Sequence, residues 1–395
     1  MPSTPGPGTA GGPGLPVDTG RLTDAAGPVL DALGRAGSAA LVPTPALLCD
    51  VDALEANLAD LAGAARARGV DLRPHAKTHK SAFVTNRQLA HGAVGISCAS
   101  VSEAAAIVER VAGLSVLVTS PVVGPAVARR AAALARRCDL LVAVDHPDGV
   151  DELGATGARI GVVCDVDVGL GRTGVADVES AREVVARTTH HPDLWFAGVQ
   201  GYAGHAQHVT GRDARAASTR AANRRLTRVV EALDADGTTV GLRTGGGTGS
   251  SGTDLEDGVL GELQPGSYVF MDAEYRNALG DDHEARFAQS LTIATTVVSA
   301  NQPGFVTVDA GLKAMATEAG SPTVVGVPGD VTYTFFGDEH GLVTRGATTV
   351  LARGDRLALV PPHCDPTVDR YDVLWLVRGD AVVGVADVDA RSCSQ

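Results

Sequence analysis

From residue 71 onward, short apolar runs alternate with longer amphipathic segments. The runs are DLRPHA (71–76), VGISCA (94–99), LSVLVTS (114–120), DLLVAV (139–144), ARIGVVCDV (158–166), LWFAGVQGY (194–202), VGLRTGG (240–246) and ELQPGSYVF (262–270). Near-continuous apolar strands separated by helices predict a parallel sheet buried on both faces. The segments between them read as helices. SVSEAAAIVERV (100–111) opens with a Ser100-x-x-Glu103 capping box, and PAVARRAAALARR (125–137) and the long stretch 214–237 carry the same period. Eight such units match an α/β fold of the (β/α)8 TIM-like barrel type, with an open doubly wound sheet as the competing architecture.

After about residue 285 the pattern changes. SLTIATTVVSA, GFVTVDAG, TVVGVPG, TRGATTVL, RLALVPPH, DVLWLVRG and AVVGVADV are short strands between Gly, Pro and Asp turns, with little helical period. They predict a C-terminal all-β domain. Before the barrel, TPALLCDVDALEANLADLAGAARARG predicts one strand and one long helix. The expected organisation is a disordered Pro/Gly-rich tail over 1–20, a barrel over 21–285 and the β domain over 286–395. The tail has neither the basic start nor the apolar centre of a signal peptide.

Charge and cysteine content narrow the function classes. A formal net charge of -13 argues against the broad basic surface that nucleic-acid binding needs. No apolar run reaches the roughly 18 residues of a membrane span. Six cysteines without CxxC spacing suit reduced thiols in a cytoplasmic protein.

Chemistry in such a barrel sits at the carboxyl ends of its strands, and the unusual stretches fall there. RPHAKTHK (73–80) closes the first run and puts Lys77 at a strand end. TGGGTGS (244–250) follows the seventh; its glycines permit positive φ and close backbone approach, so successive N–H groups can converge on a phosphate. A lysine opposite a phosphate cradle, without a dinucleotide fingerprint, points to pyridoxal 5'-phosphate held as a Schiff base. The cationic neighbours of Lys77 are expected to favour its deprotonated amine. In PPHCDP (361–366), His363 and Asp365 alternate along a strand, share one face and suit a divalent ion with open positions, while Cys364 faces away.

PHAKTHK, GRTG, QGYAGH, GGGTGS, QPGSYVFMD, DAGLKA, FGDEHG and PPHCDPTVDRYD together resemble the D-threonine aldolase / D-serine dehydratase family of fold-type III pyridoxal-phosphate enzymes. The likeness runs from Thr44 to Gly379. It implies a barrel plus β domain, a homodimer and a small D-amino acid substrate. It implies Lys77 as the Schiff-base lysine and Arg172 near the ring. Gln200, Tyr202, Gly246, Gly247, Thr248 and Tyr268 would line the cofactor site, and His363 and Asp365 would hold the metal, with His363 a candidate base. In this family dehydratases carry His-x-Cys and aldolases His-x-Asp, a harder pair that favours Mn²⁺ or Mg²⁺ over Zn²⁺. The chain has the aldolase spacing, so retro-aldol cleavage to glycine and an aldehyde is expected, ahead of dehydration. A non-catalytic cofactor-binding protein needs no β domain, and a racemase needs a second acid/base, for which only Tyr333 and Tyr371 are available there.

Overall fold

The computed structural model describes residues 15, 16, 22, 26–280, 287–346 and 350–393. The tail expected over 1–20 lies outside the described residues apart from Leu15 and Pro16, as does the boundary expected at 285/286. Strand β1 (Ala46–Asp50) leads directly into the helix Val51–Ala67, where Asp50 caps by accepting from Ala53 N at 3.0 Å.

Each of the eight apolar runs supplies one parallel strand. These are β2 (Asp71–Leu72), β3 (Ile96–Cys98), β4 (Ser115–Val118), β5 (Asp139–Val144), β6 (Ile160–Asp165), β7 (Leu194–Gly201), β8 (Leu242–Gly245) and β9 (Glu262–Leu263). The order β2-β9-β8-β7-β6-β5-β4-β3 curls the sheet, and a parallel bridge between His75 and Ser97 joins its two ends. The barrel architecture holds, and the open doubly wound sheet does not. Capping follows the sequence: Ser100 Oγ accepts from Glu103 N at 3.2 Å at the start of the helix Val101–Val108.

The first and last strands are shorter than their apolar runs. Pro74 and Pro265 lack the N–H that would continue each ladder, so β2 ends at Leu72 and β9 at Leu263. Short 3₁₀ turns follow, Ala76–Thr78 and Ser267–Val269. Lys77 therefore rides on a turn above the barrel rather than on a strand end.

Across the barrel interior runs a buried polar chain. Arg73 Nε pairs with Glu262 Oε2 at 3.0 Å, and Glu262 Oε1 accepts from Thr244 Oγ1 at 2.8 Å. Thr244 in turn accepts from Gln264 Nε2 at 2.9 Å, which also reaches Gln200 Oε1 at 3.2 Å. Gln200 Nε2 ends the chain on Asp165 Oδ1 at 2.9 Å. Buried charge is tolerated here because each group has a partner.

The second sheet contains β10 (Leu291–Ser299), β11 (Phe305–Val308), β12 (Thr323–Val325), β13 (Tyr333–Phe335), β14 (Gly341–Thr344), β15 (Arg356–Val360), β16 (Val373–Arg378) and β17 (Ala381–Asp387). Strand β14 ends where the expected run TRGATTVL begins; 347–349 of that run lie outside the described residues. β1 joins this sheet: Ala46 faces Ala294 of β10 in antiparallel register, and Leu48 faces Trp375 of β16 in parallel. The first strand of the chain, expected on the barrel side of the boundary, thus lies in the middle of the other sheet. Its Leu47 and Cys49 are fully buried there.

Candidate active site

A cavity of ≈ 190 Å³ opens at the carboxyl ends of the barrel strands, lined on one side by His75, Lys77 and Thr78 and on the other by Gly247 and Thr248. Arg172, Gln200 and Tyr202 complete its walls, with Gln264, Ser267 and Tyr275.

The five residues that made RPHAKTHK conspicuous take five separate jobs. Arg73 is the buried ion pair inside the barrel. His75 caps the turn, its Nδ1 accepting from Lys77 N at 3.4 Å while Nε2 meets Thr119 Oγ1 at 3.1 Å. Lys77 faces the cavity, which accounts for the 41% of its side chain that is accessible. His79 is fully buried, and burial lowers its pKa to about 4. Lys80 turns away and pairs with Asp369 Oδ1 at 2.7 Å.

The Lys77 ammonium is ion-paired with the Asp365 carboxylate. Burial works against the charge on Lys77, yet Asp365 more than offsets it and lifts the pKa above the usual lysine range. On Asp365 burial likewise favours protonation, but Lys77 and His363 hold it well below the usual carboxylate range. The expectation that cationic neighbours deprotonate Lys77 is corrected here. Burial first, and then the charge of Lys77, drive the His75 pKa well below normal, so it is neutral, and a carboxylate is the dominant neighbour of the amine.

Arg172 reaches the cavity because the loop 169–174 is tightly bonded. Asp167 Oδ1 accepts from Gly169 N and Gly171 N, both at 2.9 Å, and Asp145 Oδ2 accepts from Gly174 N at 3.0 Å. Thr173 Oγ1 donates to Asp165 Oδ2 at 2.8 Å. Gly174, at φ +104, has no room for a side chain: a Cβ would lie 2.4 Å from Asp167 N. The Arg172 guanidinium carbon then sits 5.6 Å from the Tyr202 ring centre, a cation–π arrangement.

The glycine loop is more committed than its sequence suggests. Gly247 N donates to Ser250 Oγ at 3.1 Å, and Gly249 N and Ser250 N donate to Gln207 Oε1 at 2.9 and 3.3 Å. These three N–H groups are spent inside the protein. Among the described residues, those of Gly246 and Thr248 have no such partner, and that of Thr248, which lines the cavity, remains for an anion. Gly246 takes φ +69, and a Cβ there would meet Asp254 Oδ2 at 2.7 Å. Gly246 and Tyr268 do not line the cavity. Tyr268 is 1% exposed: its hydroxyl accepts from Gln88 Nε2 at 3.4 Å and its ring packs edge-on against Phe287. Only its backbone reaches the loop, Tyr268 N donating to Thr248 Oγ1 at 3.0 Å.

His363 and Asp365 are not on a strand. Pro361 and Pro362 stop β15 at Val360, and His363 becomes the N-cap of the short helix Cys364–Val368. His363 Nδ1 contacts Glu318 Oε1 at 2.8 Å, which leaves Nε2 as its one uncommitted nitrogen. Asp365 turns inward onto Lys77. Cys364 is buried, with Cys364 N donating to Asp272 Oδ2 at 2.9 Å and its thiol pushed up by burial. Among the described residues no group of three or more His, Cys, Asp and Glu side chains is placed to hold a metal. The available donors are one imidazole and one carboxylate, a set compatible with a divalent ion completed by small-molecule ligands.

Sequence reading missed Tyr275 and Glu318, and quoted Asp272 in QPGSYVFMD without giving it a role. Tyr275 and Asp272 belong to the segment after QPGSYVF, where Asp272 caps the helix Ala273–Leu279, and Glu318 comes from a loop with no periodic signal at all.

Comparison with known proteins gives a consistent assignment. Residues 49–274 match the alanine racemase N-terminal domain family, and residues 290–377 match a serine dehydratase domain family. The chain is 40% identical over 362 residues to a D-threonine aldolase of Arthrobacter sp, covering 90% of this chain and 94% of that one. It is 38% identical over 365 residues to a 3-hydroxy-D-aspartate aldolase of Paracoccus denitrificans, covering 89% and 92%. The crystal structure of D-threonine aldolase from Filomicrobium marinum superposes with a TM-score of 0.86 at 36% identity, covering 90% of this chain and 98% of that one.

Proposed function

We propose, on the premise that this chain belongs to the D-threonine aldolase / D-serine dehydratase family of fold-type III pyridoxal-phosphate enzymes, that it performs the aldolase reaction of that family. It is a pyridoxal-phosphate-dependent lyase acting on D-3-hydroxy amino acids. The Cα–Cβ bond is cleaved, releasing glycine and an aldehyde. The observation that carries this reading is Asp365, a carboxylate beside Lys77 at the position where the dehydratase pattern has a cysteine.

The donor set suits the cofactor. Lys77 would hold its aldehyde carbon, Thr248 and the backbone of the glycine loop its phosphate, with Arg172 and Tyr202 beside the ring. When bound, pyridoxal phosphate supplies an electron sink for a bond broken at Cα. Before Lys77 can engage the aldehyde it must lose its proton, so its pair with Asp365 has to open. Asp365 is then available, with His363 Nε2, to hold a divalent ion. Such an ion would supply polarisation of the substrate hydroxyl, and the hard carboxylate favours Mn²⁺ or Mg²⁺. His363 has a single nitrogen left for chemistry, because Nδ1 is held by Glu318. It cannot bind metal and take the hydroxyl proton at once, so with His363 on the ion that proton would pass to the neutral Lys77 amine. Lys77 Nζ, at the cavity wall, would then hand the same proton to the carbon that becomes the Cα of glycine, so that no proton is gained or lost.

The same reading takes the enzyme to be a cytoplasmic homodimer whose substrate is a small D-amino acid. Its six cysteines are all free, and no helix among the described residues is long and apolar enough to cross a membrane. Incubation with D-threonine and with D-serine in the presence of pyridoxal phosphate and Mn²⁺ tests the reaction. Glycine and acetaldehyde from D-threonine are the expected products. A keto acid from either substrate, without glycine, would overturn the aldolase reading.

A further inference from the structure

Two ion pairs join the same two segments. Lys77 and Lys80, on the turn after β2, face Asp365 and Asp369, on and just after the helix Cys364–Val368. The pairs differ in surroundings. Lys77 opens onto the cavity, whereas the Lys80 side chain is only 12% accessible and lies outside it.

The second pair is also the more deeply built in. Lys80 adopts φ +51, a left-handed conformation costly for a non-glycine residue and held only where the surroundings fix it. Its carbonyl accepts from Ala390 N at 2.9 Å, so the C-terminal segment is laid along the turn. Two residues on, Asp389 Oδ2 accepts from Ala82 N at 2.7 Å. Ser392, which also has positive φ (+59), donates its N–H to Asp369 Oδ1 at 2.8 Å. Two left-handed residues from opposite ends of the chain therefore meet on one carboxylate oxygen, that of Asp369.

We infer that Lys80 and Asp369 are positioning residues. Their pair clamps the helix Cys364–Val368 against the turn of Lys77 and keeps Asp365 in register when Lys77 gives up its own pair. The inference rests on the reading that Lys77 holds the cofactor. On engaging the aldehyde, Lys77 no longer attracts Asp365 as an ammonium, and of the two ion pairs only Lys80–Asp369 persists. Without it, Asp365 is free to drift from the place where it must serve the substrate, and a displacement of about 1 Å at such a site costs on the order of a hundredfold in rate.

The test uses the holoenzyme with pyridoxal phosphate and Mn²⁺, cleaving a D-3-hydroxy amino acid. Lys80→Met and Asp369→Asn are each expected to lower kcat at least about tenfold while KM stays within about threefold and the visible cofactor band is retained. Asn at 369 can still accept from Ser392 N, so Asp369→Asn keeps the C-terminal contact if Lys80→Met does not fold. Lys80→Arg, which keeps the charge, should recover most of the lost kcat. The double variant should lose little more than either single one, as expected for partners in one interaction. Folded variants with parental kcat, or losses that add in the double variant, would overturn the clamp. Retention of the cofactor band in Lys77→Ala would instead overturn the assignment of Lys77 itself, which keeps the two failures distinct.

Discussion

On one wall of the cavity, the loop 244–250 spends three N–H groups on Gln207 and Ser250 and packs its glycines against Gln207 and Asp254. The other carries Lys77, whose turn is tied to a short helix by two ion pairs, Lys77–Asp365 at the cavity and Lys80–Asp369 outside it. The first wall is built from backbone shape, with side chains excluded and most polar groups already satisfied. The second is built from charges that can change partners. A cofactor's phosphate needs a fixed cradle, since it does not react. The reacting end needs groups that can be freed, so its strength comes from an exchangeable pair beside a permanent one. The difference makes a clear forecast: substitutions on the glycine wall should damage folding and binding together, and those on the charged wall should damage chemistry first.

Lys77→Ala is the most severe test of the charged wall. It removes the only lysine among the described residues that lines the cavity, and turnover is expected to fall by more than about a thousandfold, as for loss of a covalent catalytic group. The melting temperature should stay near or above the parental value, because Asp365 can then protonate or take up solvent at the open cavity. Absorbance of the dialysed protein in the visible edge of the ultraviolet should vanish. A strong fall in melting temperature would blur the contrast between the walls.

Gly249→Ala probes the opposite wall with one methyl group. Gly249 does not need a positive φ, so the test is of space alone. The added Cβ would lie 2.1 Å from Gln207 O, a backbone atom that cannot swing aside. Overpacking of this kind costs about 1–3 kcal/mol. Thermal or denaturant unfolding should register that loss, with weaker pyridoxal phosphate binding alongside it. Full stability with lost binding would mean that the loop adapts, and that the wall is less rigid than its contacts imply.

How much of this was legible beforehand divides along the same line. The barrel came through because its information is local. Each apolar run carries its own strand, and Ser100 with Glu103 marks a helix start by spacing alone. The glycine loop was legible as a loop, but not the acceptors that occupy it, since Gln207 lies far from it in sequence. Lys77 was found because cationic residues crowd RPHAKTHK, yet its partner Asp365 lies 288 residues away. The strand assigned to His363 and Asp365 failed at Pro361 and Pro362, two residues whose missing donors the alternation pattern does not register. β1 was recognised as a strand, but its neighbours in the second sheet are equally remote. Tyr268 was misplaced because a sequence indicates that a tyrosine is present, not which way its ring points.

Glu318 gives the smallest effect and the finest division of the charged wall. Its side chain is 57% exposed, so as a mere surface ion pair with His363 it would contribute almost nothing measurable. Its geometry suggests more. Glu318 Oε1 lies 2.8 Å from His363 Nδ1, which fixes the proton there and leaves Nε2 free to bind an ion. Outer carboxylates that orient a ligating imidazole typically contribute about tenfold or more in metal affinity. Glu318→Ala should therefore weaken Mn²⁺ binding by about tenfold in a calorimetric titration of the holoenzyme, with the Lys77-dependent cofactor band unchanged. Glu318→Gln, which keeps an acceptor but not the charge, should fall between. If Mn²⁺ affinity in Glu318→Ala stays within about twofold of the parent, Glu318 is only a surface partner and the orienting role fails. If the cofactor band shifts as well, the two walls are coupled through His363, and the separation between a rigid cradle and an exchangeable reacting end has to be given up.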